Sequence, residues 1–178
     1  MPQNQTLSCA CGAFHIALEG SPFIATECHC NSCREAAAHL ASLPPAFPLT
    51  QANGGTPYIL YRKDRVRFPA GTGALRAARL SETAPTRRVL TTCCNSPVFL
   101  EFQGGHWLSL YAGLWPDAQR PAIDIRTMTS DLPEGHMLDG ALPAGKWTTA
   151  GFYARLLAAW IAMGFKTPRI DVANELVL

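Results

Sequence analysis

The chain has 178 residues, 48% of them apolar and 16% charged, with a net charge of +2. That length suits one domain with its own core, and the composition excludes a disordered chain and a strongly basic nucleic-acid binder. No stretch reaches the ~18 consecutive apolar residues of a membrane span, and Met1 to Ser8 lacks the basic-then-apolar run of a secretion signal. A cytoplasmic, reducing setting is therefore expected, with no nucleic-acid or membrane partner.

Thr6 to Cys11 reads as a strand entering a turn, where Gly12 supplies a positive φ. Phe14 to Glu19 alternates, with Phe14, Ile16 and Leu18 on one face, as in a half-buried strand. Gly20-Ser21-Pro22 marks a turn, and Phe23 to Thr26 a short strand. Cys33 to Ala41 suits a helix capped by Asn31 or Ser32, with the third thiol at its positive end. Leu43-Pro44-Pro45 ends it, and Phe47 to Gly55 is a loop. Strands follow at Pro57–Tyr61, Val66–Phe68, Leu75–Leu80 and Arg87–Thr91. Val98–Phe102 and Trp107–Ala112 flank Gly104-Gly105 as a hairpin. Ile123 and Ile125 are candidate strand residues. A final helix runs from a Thr148 or Thr149 cap to Met163 and closes at Gly164. Apolar almost all round, it is either buried or a homodimer contact. Ile170 to Leu178 adds a strand.

All seven cysteines fall in three clusters: Cys9-x-Cys11-Gly12, Cys28-x-Cys30-x-x-Cys33 and Cys93-Cys94. In a reducing compartment such clustering points to metal or redox chemistry, and an odd count argues against a complete disulfide framework. Zinc in a structural site takes four ligands at tetrahedral angles. One turn offers two of them, and a second turn, distant in sequence, offers the others.

The order of these clusters, with Arg34 after the second and Asn95-Ser96-Pro97-Val98-Phe99 after the third, resembles the glutathione-dependent formaldehyde-activating enzyme family. That family also includes centromere protein V. The likeness spans about Ser8 to Ala112. It implies a mainly β, zinc-binding β-tent fold over residues 1–178, with a short helix after the three-cysteine motif and a C-terminal helical extension at about 148–178. It implies a structural zinc on Cys9, Cys11 and the late cluster, and a second, more labile zinc on Cys28, Cys30 and Cys33. A small-molecule thiol such as glutathione would bind the latter and add to an aldehyde. Run backwards, this is a carbon–sulfur lyase. The family usually closes the structural site with Cys-x-x-Cys, but this chain has Thr91 three residues before Cys94. The Cys-Cys-x-Ser/Thr-Pro variant resembles that of a bacterial branch, for which the likeness carries fold and metal but not activity.

Adjacent strand residues point to opposite faces, so three fates are open for Cys93. It joins Cys94 on the structural metal, leaves Cys94 there alone, or closes the three-cysteine cluster with a fourth sulfur. Arg34 is a candidate to offset thiolate charge or clamp a substrate carboxylate. His29 reads as a surface or supporting group facing away from its neighbours' metal, and His39 could face the site. His15, His106 and His136 read as ordinary strand or loop residues, and Trp107 and Trp160 as core. Arg62, Lys63, Arg65, Arg67, Arg76, Arg79, Arg87 and Arg88 read as a solvated face or a dock for an anion. Three functional readings follow: a zinc enzyme acting on a thiol–aldehyde adduct, a non-catalytic zinc-stabilised binding module, and a thiol or metal sensor.

Overall fold

The computed structural model describes residues 4–44, 48–173 and 175–178. Pro45 and Phe47, assigned above to the end of the first helix and the start of a loop, lie outside them, as does Asn174. The described fold is mainly β. Strands β1 (Gln5–Ser8), β2 (His15–Leu18) and β5 (Val66–Arg67) make a small antiparallel sheet. The second sheet has eight strands. They are β3 (Ile24–Cys28), β4 (Thr56–Arg62), β6 (Leu75–Arg79), β7 (Thr86–Thr91), β8 (Pro97–Phe102), β9 (Trp107–Tyr111), β10 (Ile125–Thr127) and β11 (Glu175–Val177), in the order β10-β3-β4-β9-β8-β7-β6-β11. Its inner ladders are antiparallel. Parallel β10 and β11, both from late in the chain, take its two edges.

Sequence pattern explains this layering. In β2 every second residue is buried, as in a sheet with one dry face. β4 and β8 are buried nearly throughout, so the large sheet is covered on both faces. On one side Leu7, Phe14, Ile16 and Leu18 of the small-sheet layer pack with Ile59, Val89, Phe99 and Leu110. On the other, Tyr58, Leu60, Leu90 and Leu100 pack with Leu40 of helix α1 (Asn31–Leu40) and Leu156 of helix α2 (Lys146–Ala162).

Several expectations change. Helix α1 starts two residues before Cys33, and its cap is neither Asn31 nor Ser32 but Cys30, whose Sγ accepts from Cys33 N–H. The turn leaving β3 places a thiol where a hydroxyl cap usually stands. Helix α2 starts at Lys146 after Gly145, with no side-chain cap. Thr148 lies inside it and donates to Ala144 O. Burial of α2 is one-sided: Leu156 and Ala159 are buried, whereas Trp147, Tyr153, Leu157 and Ile161 are exposed. His106 holds the helix, its ring Nε2 lying 2.8 Å from Leu156 O and its plane stacked on Trp160. Gly164, at φ +61°, closes it as expected, with Phe165 N–H returning to Trp160 O.

The basic face is also not uniformly solvated. Lys63 is buried, 2.5 Å from Glu101, which Arg87 also contacts at 2.6 Å. Arg88 is wholly buried.

Candidate functional site

The chain brings its seven thiols into two groups, one on each side of the large sheet. Cys9 and Cys94 pack with the small-sheet core, and Cys28, Cys30 and Cys33 with the helix-side core.

The first group is a pair of turns facing each other. After β1, Gly12 N–H donates to Cys9 O at φ +77°, and Phe14 N–H donates to Cys9 Sγ. After β7 the chain turns through Thr92–Cys94 and leaves with Asn95 in the left-handed region, at φ +56°. That turn resolves the difficulty of adjacent cysteines, because a strand would send their sulfurs apart and a turn does not. Cys93 thus lies with Cys9, Cys11 and Cys94, all four sulfurs within 4.8 Å of one another. Separations of 3.5 Å (Cys9–Cys11), 3.7 Å (Cys9–Cys93), 3.4 Å (Cys11–Cys93) and 3.8 Å (Cys93–Cys94) lie at or a little below the ~3.8 Å edge of a tetrahedron with ~2.3 Å metal–sulfur bonds.

Ser96 joins the two turns. Its buried Oγ accepts from Ala10 N–H at 3.0 Å and lies 3.0 Å from Cys94 Sγ. Thr91 takes Ser96 N–H on its hydroxyl and stands 3.4 Å from the same sulfur. Burial works upward on the Cys94 thiol, but hydrogen bonds from Ser96 and Thr91 outweigh it and bring the pKa down to about 5. This group could hold a metal ion.

The second group is built on a strand–turn–helix. Cys28 ends β3, Cys30 caps α1 and Cys33 lies in the first helical turn. Their sulfurs also fall within 4.8 Å of one another. Among the described residues Cys93 is not one of them, so this group has three sulfurs. It too could hold a metal ion. Without one, hydrogen bonding from Cys28 and Cys33 lowers the Cys30 thiol to about 2 against the upward effect of burial, with Cys33 N–H and Arg88 assisting. Cys28 is pushed up by its bond to Cys30. At Cys33 the bond to Cys28 works downward, but the bond to Cys30 and burial raise it to about 11. Cys30, which caps the helix, is thus the thiol of the three whose pKa falls, whereas that of Cys33, placed at the helix start from sequence, rises.

A cavity of about 500 Å³ opens at this trio and is lined by all three thiols. Leu60, Leu100, Phe102, Trp107, Phe152 and Leu156 form much of its wall. Trp107 is thus a wall residue, not core alone. Tyr58 O–H lies 3.6 Å from Cys33 Sγ.

Arg34 does not take the role given it from sequence. Its guanidinium donates to His29 O, Asn31 Oδ1 and Asp131 O, and so ties the start of α1 to the loop after β10. The cation at the thiols is Arg88, which lines the cavity and donates 2.9 Å and 2.6 Å bonds to Ser32 O and Oγ. A period-of-two reading of β7 carries the signal for it, since Arg88 shares the face of buried Leu90. His29 is fully buried rather than at the surface. It meets Glu27 Oε1 at 2.9 Å, an oxygen that also takes bonds from Arg126 and Asn53. His39 is exposed on α1.

The model of one family, the glutathione-dependent formaldehyde-activating enzyme, matches residues 4–129. No curated protein matches the chain. The match begins ahead of Cys9 and ends beyond Cys94, taking in both thiol groups, and it covers well over half of the 178 residues. The chain belongs to the glutathione-dependent formaldehyde-activating enzyme family.

Proposed function

We propose that the protein is a zinc-dependent carbon–sulfur lyase of the thiol–aldehyde type. In this reading Cys9, Cys11, Cys93 and Cys94 hold a structural zinc, and Cys28, Cys30 and Cys33 hold a second. The carrying observation is the difference between the groups: four sulfurs close the first, whereas three line a cavity at the second. A structural site is closed and a reactive one keeps a position free.

The second zinc would supply a Lewis acid for a substrate sulfur. The chain's own residues supply the rest. Walls of Leu, Phe and Trp side chains exclude water around the reacting carbon. Tyr58 offers a phenolic O–H beside Cys33, and Arg88 offers its buried positive charge to an oxygen of the adduct. In cleavage the carbon–sulfur bond breaks, the hydroxyl carbon becomes a carbonyl, the hydroxyl proton departs and the sulfur ends as a thiol. Addition is the reverse, and neither direction needs an oxidant or reductant.

The test is exchange between free and thiol-bound aldehyde, followed by NMR on the zinc-loaded chain across a panel of thiol–aldehyde adducts. Acceleration of at least one adduct, lost in Cys30→Ser, is the expected result. No acceleration of any adduct would leave a binding module or a sensor as the better reading.

A further inference from the structure

The cavity at the second thiol group has a chemistry of its own, and it does not suit a charged peptide. Arg88 is the one charged side chain among its described lining residues other than the thiols. Two of the three guanidinium nitrogens are engaged, one with Ser32 and one with Thr86. Glutathione carries two carboxylates and an ammonium. The described lining offers hydroxyls, among them Thr26, Ser109 and Thr127, but no carboxylate and no second cation, so burying two carboxylates and an ammonium there without charged partners costs on the order of several kcal/mol each. The formaldehyde carbon has the opposite fault, since one carbon leaves a cavity of about 500 Å³ almost empty. The chain does build a charged cleft, but elsewhere, where Lys63, Glu101, Arg169 and Asp171 gather at the outer end of β8.

We infer that the cavity takes an apolar substituent of the thiol–aldehyde adduct, of aromatic or medium-chain aliphatic size. This rests on the reading of the cysteine trio as a thiol–aldehyde centre and specifies what sits beside it. The substituent can arrive on the aldehyde or on the thiol, because both lie one bond from the reacting carbon–sulfur pair. Cleavage then gives an apolar aldehyde and a thiol, or formaldehyde and an apolar thiol, with the hydroxyl proton transferred to sulfur in either case.

Binding is measured first, with thioethers that cannot react. Benzyl methyl sulfide and S-methylglutathione are titrated into the zinc-loaded chain and followed by tryptophan fluorescence, since Trp107 lines the cavity. The apolar thioether is expected to bind at least tenfold more tightly, and Leu100→Gln and Phe152→Ser to abolish most of that preference. Leu100 is buried in the sheet and Phe152 is half-buried on α2, so the second variant tests the cavity even if the first does not fold. Equal or tighter binding of S-methylglutathione would overturn the inference while leaving the lyase reading intact. Turnover then distinguishes the two sources, by comparing the glutathione–phenylacetaldehyde adduct with the benzyl mercaptan–formaldehyde adduct. Faster turnover of either, relative to glutathione–formaldehyde, supports the inference and identifies the partner that carries the apolar group. Preferred turnover of glutathione–formaldehyde contradicts it. Tight apolar binding with no turnover of any adduct keeps the cavity assignment and removes the lyase reading instead.

Discussion

Cys11 Sγ lies 3.4 Å from Cys93 Sγ, although 82 residues separate them. Such an approach joins the turn after β1, in the small sheet, to the turn after β7, in the large one. A metal held there ties the two sheets together, and its binding free energy becomes folding free energy. Cys9→Ser is therefore expected to leave the chain unfolded or aggregated at 25 °C. Cys30→Ser, which touches only the second group, should cost about 1 kcal/mol and lower the melting temperature by about 3 °C. Circular dichroism melts check this, and equal melting temperatures for the two variants would contradict the division of labour.

Ser96 bridges the same two turns through Ala10 N–H and Cys94 Sγ. Ser96→Ala leaves a part-buried amide unpaired. The expected loss is about 1–3 kcal/mol, readable by urea denaturation with the slope unchanged. Zinc content should stay at the wild-type level.

Arg88 is bonded to the first turn of α1, where Cys30 and Cys33 reside. Arg88→Met removes the bonds that fix this turn and the positive charge beside the thiols. A 10–100-fold weaker second zinc is expected, by analogy with other supporting groups around metal sites. Competition with a chromophoric chelator measures it. The first zinc should be unaffected, so a general loss of both metals would show that Arg88 serves only the fold.

His106 links the β8–β9 hairpin to α2. Burial lowers its pKa below the ordinary 6.5, against a smaller upward effect from Leu156 O. The unfolded chain therefore takes up the proton first as pH falls. Stability from this residue is full above about 6.5 and is lost as pH drops through the lower folded-state pKa. Between pH 7.5 and about 5, wild type should lose melting temperature more steeply than His106→Gln. Both chains carry the same thiols, so metal loss at low pH cancels in the comparison.

Strand order along the sequence was legible wherever local pattern decides it. The alternation of Phe14, Ile16 and Leu18, the Gly104-Gly105 hairpin and the three cysteine clusters all signal locally. What eluded it depends on long-range packing. The apolar run of α2 does not say which side is covered, because the surface it meets comes from distant parts of the chain, with β10 and His106 against it and Leu60 and Leu100 in the same cluster as Leu156. Arg88 and Lys63 sit in a run of basic residues that reads as solvated until the second layer of the sheet is in place. The grouping of Cys93 with Cys94 hinged on a turn set by Asn95, at φ +56°, and by the hydrogen bonds of Thr91 and Ser96. The cap of α1 was missed because a cysteine stands where serine or asparagine is expected.

In the proposed reading the two thiol groups hold two zinc ions of unequal lability, one pinning the sheets and one facing the cavity. Native mass spectrometry of the full chain, before and after a mild chelator, tests it most directly. Two zinc ions per chain are expected, of which the chelator removes one without unfolding, with Cys28, Cys30 and Cys33 becoming alkylatable. A single zinc that leaves only on unfolding, with those three cysteines reactive or disulfide-linked from the start, would contradict it.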